Sequence, residues 1–167
     1  MSDVLRLIGG GLLAMVACYI GVLIKKRYKQ RQVFFKSASD FAKRLKSELT
    51  TLKTPMPDAV KSFLKDRKGE FESVLEKWLE SAKLLDQTVL EKTLELPLLK
   101  SEEKSEVFAF LSPLGKSVLD EQIAHISYFQ TVFETRAQEC EKDSKRLGNM
   151  YFKLCVLLGL ALLLILA

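Results

Sequence analysis

The chain is poor in cysteine, proline, glycine, histidine and tryptophan. Its 167 residues hold three Cys, four Pro, eight Gly, one His and one Trp. Three cysteines (Cys18, Cys140 and Cys155) cannot build a disulfide framework. A single histidine, His125, leaves no Cys/His pair at metal-ligand spacing and no base beside a readable nucleophile. No glycine-rich phosphate loop occurs. The sequence therefore predicts no metal, no cofactor, no small-molecule substrate and no enzyme; His125 reads as a structural or surface residue, Trp78 as core or, if exposed, a contact hot spot, and carboxylate pairs such as Glu70/Glu72 and Glu102/Glu103 as solvated surface. Only Gly69 and Gly115 interrupt residues 32–147. No stretch there alternates apolar and polar residues with β-branching, so strands are not expected and the fold class is all-α.

What is abundant is apolar. Residues of that kind make up 48% of the chain beside 28% charged, and the two are segregated. Val4–Ile24 is an apolar run broken only by Arg6. Leu154–Ala167 is a second, extended toward the middle by Met150, Tyr151, Phe152 and Lys153. At about 1.5 Å per residue both approach the roughly 30 Å of a bilayer core. The reading is an N-terminal transmembrane helix over 1–24, a helical bundle over 25–149 and a C-terminal transmembrane helix over 150–167. A cleaved signal, or a lipoprotein signal ending at Cys18, fits less well, because the apolar run is longer than a usual h-region.

The net charge is +5, and the excess is local. Lys25, Lys26, Arg27, Lys29, Arg31 and Lys36 occur with no acid among them, whereas residues 37–153 carry nineteen Lys and Arg against twenty Asp and Glu. A nucleic-acid binder needs a basic stripe with stacking aromatics, which is absent. A juxtamembrane cluster instead sets topology and meets lipid headgroups. Lys25, Lys26, Arg27, Lys29, Arg31 and Lys153 are the expected headgroup and topology residues. Both apolar runs carry their basic flank on the inner side of the sequence. The positive-inside rule then predicts a cytoplasmic bundle with both termini across the membrane. Small residues Gly10, Ala14, Cys18 and Gly21 on the first run, and Cys155 and Gly159 on the second, are candidates for close helix packing, either on each other or on another membrane subunit.

Helical periodicity organises the middle. Phe34, Ala38, Phe41, Leu45, Leu49 and Leu52 mark one face of a long first helix that stops before Pro55. Asp58–Lys65 fits a short helix, Phe71–Ala82 a stronger amphipathic one, and Val89–Leu96 its continuation or another. Ser101 is the expected N-cap of a helix ending at Pro113. The last helix begins near Ser117, with a seam of Leu119, Ile123, Ile126, Gln130, Phe133, Ala137, Cys140, Ser144 and Leu147.

Phe110-Leu111-x-x-Leu114-Gly115, followed by Gln122 and His125-Ile126, and Met150-Tyr151 leading into an apolar tail with Gly159, resemble the stage III sporulation protein AB family of endospore-forming bacteria. The order of segments and the total length are similar as well. The family usually has an acid where this chain has Val118, and Gly where it has Cys155. The resemblance marks Leu114, Gly115, Gln122 and His125 as structural positions. It implies a bundle similar to the cytoplasmic domains of type II secretion platform proteins, in the outer forespore membrane. The implied partners are the secretion-ATPase-like stage III sporulation protein AA and other membrane subunits of a channel joining mother cell and forespore. The expected function is a non-enzymatic membrane platform for that channel. The alternative is a generic membrane adaptor or membrane-remodelling helical hairpin whose working part is the basic cluster.

Overall fold

The computed structural model describes residues 2–65, 67–84, 92, 94 and 96–166; side chains are described outside 2–14, 17–18, 82–84, 147–148, 159 and 162–166 as well. Among the described residues the structure is helical and contains no strand, so the all-α expectation holds. Helix α1 spans Ser2–Ser47 and ends in a π-helical turn, Glu48–Leu52. Then come α2, Met56–Leu64, α3, Glu70–Leu84, and α4, Ser101–Leu111. Helix α5, Leu119–Asp143, runs through a second π-helical turn, Ser144–Gly148, into α6, Asn149–Leu166. The expected segment 89–96 lies largely outside the described residues. The chain divides into two compact units. One comprises Met1–Gln32 with Gln138–Ala167, here the helical pair; the other is Val33–Ala137, the bundle.

The bundle is built on phenylalanine. Phe34, Phe35, Phe41, Phe63, Phe71, Phe110 and Phe133 are fully buried. They meet largely edge-to-face: Phe41 on Phe63 at 5.0 Å and 66°, Phe110 on Phe133 at 5.1 Å and 90°. That geometry sets the positive ring edge against the negative face. Ala38, Ser39 and Ala42 on α1 are also buried and leave room for such large neighbours. On the outside, Arg136 of α5 grips Glu106 of α4 through two bonds, 3.0 and 2.6 Å, and Lys43 of α1 reaches Glu134 at 3.1 Å.

Three sequence expectations for this unit are corrected. Leu52 is 69% exposed, because the π turn that contains it departs from the α-helical period. Ser101 does not cap α4. The cap position is Lys100, whose backbone N–H donates to Glu103 Oε2 at 2.8 Å. The last helix starts at Leu119, two residues later than Ser117, and Leu119 itself is exposed. Of the expected seam, Ile126, Phe133 and Cys140 are buried and Ile123 and Gln130 half-buried, and Gln122 and Phe129 are buried beside them.

The transmembrane expectation is likewise not supported. Among the described residues no helix is long and apolar enough to cross a membrane. Spanning takes roughly twenty consecutive apolar residues. The stretches with described side chains, 15–24 less Ala17 and Cys18 and 149–161 less Gly159, fall short of that; the rest of both expected spans lies outside the residues with described side chains.

Candidate functional site

In the helical pair, α1 and α6 touch where two small residues, Gly21 and Cys155, face each other. A Cβ placed on Gly21 would lie 3.5 Å from Cys155 Cβ, 3.5 Å from Phe152 Cα and 3.6 Å from Cys155 Sγ. This is ordinary contact distance, so the missing side chain is what lets the helices come together. Gly10, Ala14, Cys18 and Gly159, the other expected packing residues, lie outside the residues with described side chains.

Around this contact the surface is apolar and open. Met15 is 75% exposed and Tyr19 66%, and Val16, Ile20, Val22 and Leu23 are exposed beside them. On α6, Tyr151, Phe152, Leu154, Leu157, Leu158 and Leu160 are exposed too. Exposed apolar side chains scattered singly are normal on any protein, but a run shared by two adjoining helices marks an interaction surface.

Next to it lie the basic residues. Lys25, Lys26, Arg27, Lys29 and Lys153 are exposed, as expected of headgroup contacts, and so are Lys142, Lys145 and Arg146. Arg31 is the correction. It is only 7% exposed, so its guanidinium is held within the protein and does not belong to the exposed basic surface. Arg has a long apolar stem and a weakly hydrated head, which makes it the basic residue best suited to such burial.

In the bundle, the family-like residues gather at the corner between α4 and α5. The last carbonyls of α4 have no partner within the helix. Two rare side chains supply one each. His125 Nε2 lies 3.1 Å from Phe110 O, and Trp78 Nε1–H donates to Leu111 O at 3.0 Å. A carbonyl only accepts, so the imidazole must carry its proton on Nε2. The His125 ring also stacks on Phe110, with 8° between the planes, and lies 4.8 Å from Phe129. Leu114 is buried, and Gly115 turns the chain with φ +80°, a conformation that favours glycine. Gln122 is buried one turn before His125. The structure thus brings Leu114, Gly115, Gln122 and His125 together as a corner that terminates α4 and launches α5.

Sequence reading missed two buried acids. Glu72 accepts a hydrogen bond from Ser37 Oγ, and Glu103 holds the start of α4; both are buried, against the expectation of solvated surface. Their partners Glu70 and Glu102 are exposed as expected. A usable signal was present, since Lys100-x-x-Glu103 has capping-box spacing. Gly69 stands in the same relation to Glu72: a Cβ on it would fall 2.5 Å from Glu72 Oε2. Among the described residues, no group of three or more His, Cys, Asp or Glu is placed to hold a metal ion.

No curated protein and no solved structure matches the chain. A family model described as stage III sporulation protein AB matches residues 6–167, which takes in both helices of the pair, the whole bundle and its α4–α5 corner. Over nearly its full length, therefore, the chain belongs to the stage III sporulation protein AB family.

Proposed function

We propose that the chain is a non-enzymatic membrane platform of a secretion-like channel between mother cell and forespore. Its family membership gives it a role in stage III of sporulation. In the proposed arrangement, residues 1–24 and 150–167 anchor it in the outer forespore membrane, both termini lie across the bilayer, and the bundle faces the mother-cell cytoplasm. There it docks the secretion-ATPase-like stage III sporulation protein AA, beside other membrane subunits of the same complex.

The observation that supports this reading best is the exposed apolar surface on both helices of the helical pair. Water is a poor solvent for such a surface, and lipid is a good one. The exposed lysines next to it have the sign expected of a cytoplasmic flank. The bundle, by contrast, closes its aromatic core on itself and offers a charged exterior to a soluble partner.

The test is affinity capture of the tagged full chain from sporulating cells, paired with fractionation. The expected result is recovery from the membrane fraction together with the ATPase and channel subunits. Recovery in the soluble fraction, or capture of neither class of partner, overturns the reading.

A further inference from the structure

Both helices leave the Gly21–Cys155 contact through basic residues. Lys25, Lys26 and Lys29 follow it on α1, Lys145 and Arg146 precede it on the π turn, and Lys153 adjoins it on α6; all six are exposed. The chain leaves the helical pair after Gln32 and re-enters it at Gln138. The two groups therefore lie on the side of the contact that leads to the rest of the chain. No acid occurs among residues 4–39 or 144–167. Lys145 is partly offset by Glu141 at 2.6 Å, an exposed pair of small worth. A concentration of like charge repels itself unless an anion meets it.

The adjoining surface restricts what that anion can be. Tyr19, Ile20, Val22 and Leu23 on α1 and Phe152 and Leu154 on α6 are exposed next to the lysines. A ligand that meets both surfaces must be anionic at one end and apolar at the other. Tyr19 and Tyr151 suit the boundary between them, where amphipathic rings settle. We propose that the two helices together form a site for the phosphate headgroups of anionic phospholipids. This rests on the membrane reading above and adds lipid selectivity to it.

The test uses the purified full chain in neutral detergent, immobilised and offered fluorescent phosphatidylglycerol or phosphatidylcholine. The wild type is expected to retain phosphatidylglycerol in about tenfold excess or more. One basic residue near a headgroup surface is worth roughly fivefold, about 1 kcal/mol. The excess is expected to shrink as salt is raised, as screening requires. The variant Lys25→Gln, Lys26→Gln, Lys29→Gln, Arg146→Gln alters only exposed side chains. It is expected to lose most of that excess, with the thermal unfolding of the wild type. Equal retention of both lipids by the wild type overturns the headgroup site and leaves membrane attachment standing. Retention of neither lipid overturns both. Displacement of phosphatidylglycerol by inorganic phosphate at constant ionic strength would also overturn the proposal, since the site would then serve a soluble anion. The wild-type ratio and its salt dependence decide the matter even if the variant misfolds.

Discussion

His125 shows how a residue that looks chemical can be architectural. Its Nε2 is committed to Phe110 O and its ring packs on two phenylalanine rings, stacked on Phe110 and tilted against Phe129. Removing it leaves a helix-end carbonyl unpaired and a gap against Phe110 and Phe129. His125→Ala is therefore expected to lower stability by about 2 kcal/mol, read as a drop in the urea midpoint of the full chain in detergent. A variant that keeps its midpoint but loses sporulation would contradict that role. Trp78 plays the matching part at Leu111 O. The buried acids make the complementary point. Glu103 is a charged residue with almost no exposure because a backbone N–H at the start of α4 needs an acceptor. Residue type alone suggested solvent for it; the capping-box spacing suggested otherwise.

At the scale of elements, the two π turns account for the largest departures from simple periodicity. A π turn takes about one residue more than an α turn, which rotates everything beyond it by about 100°. Leu52 follows Leu49 at α-helical spacing, yet it is exposed because it lies inside such a turn. The turn Ser144–Gly148 acts on α6 in the same way. Counting four α turns from buried Cys140 reaches about residue 154, and the extra residue carries the inner face on to Cys155. The small Cys155, and not Leu154, then meets Gly21. In a Cys18→Ser background, Gly21→Cys should form a disulfide with Cys155 on oxidation, since the 3.5 Å Cβ separation is within bonding range. Deleting Ser144 should convert the π turn to an α turn and abolish that disulfide on a non-reducing gel. The start of α5 offers a second element-scale prediction. Its N-cap is Val118, 71% exposed, whose carbonyl accepts from Gln122 N–H at 3.0 Å while its side chain accepts nothing. Val118→Asp supplies the missing acceptor beside the helix dipole. It is expected to raise stability by about 1 kcal/mol, read in the same urea titration.

On the scale of the whole molecule, the chain separates its solvents. Val33–Ala137 is a compact unit with its own aromatic core, and exposed ion pairs such as Lys43–Glu134 and Arg67–Asp40 lie on its surface. The fragment 33–137 is accordingly expected to fold alone, with a helical circular dichroism spectrum and one cooperative thermal transition. A fragment that unfolds without a transition would show that the bundle depends on the helical pair. The exposed apolar side chains of Met15–Leu23 and Met150–Leu160 belong to the other unit, and the fragment is expected to be free of detergent dependence for that reason.

Segregated apolar runs, sparse glycine and proline, and phenylalanines at three- and four-residue steps determined the helical class and most of the bundle core from sequence alone. They suffice because burying one face of a helix depends on a repeat that is visible in one dimension. The corner residues Leu114, Gly115, Gln122 and His125 were legible only as a pattern; that His125 and Trp78 close the carbonyl end of α4 was decided in three dimensions. So were the burial of Arg31, Glu72 and Glu103 and the meeting of Gly21 with Cys155. Each of these depends on where a carbonyl, an N–H or a neighbouring helix comes to lie, and on two π turns that shift the helical phase, and neither is encoded in a residue's own polarity.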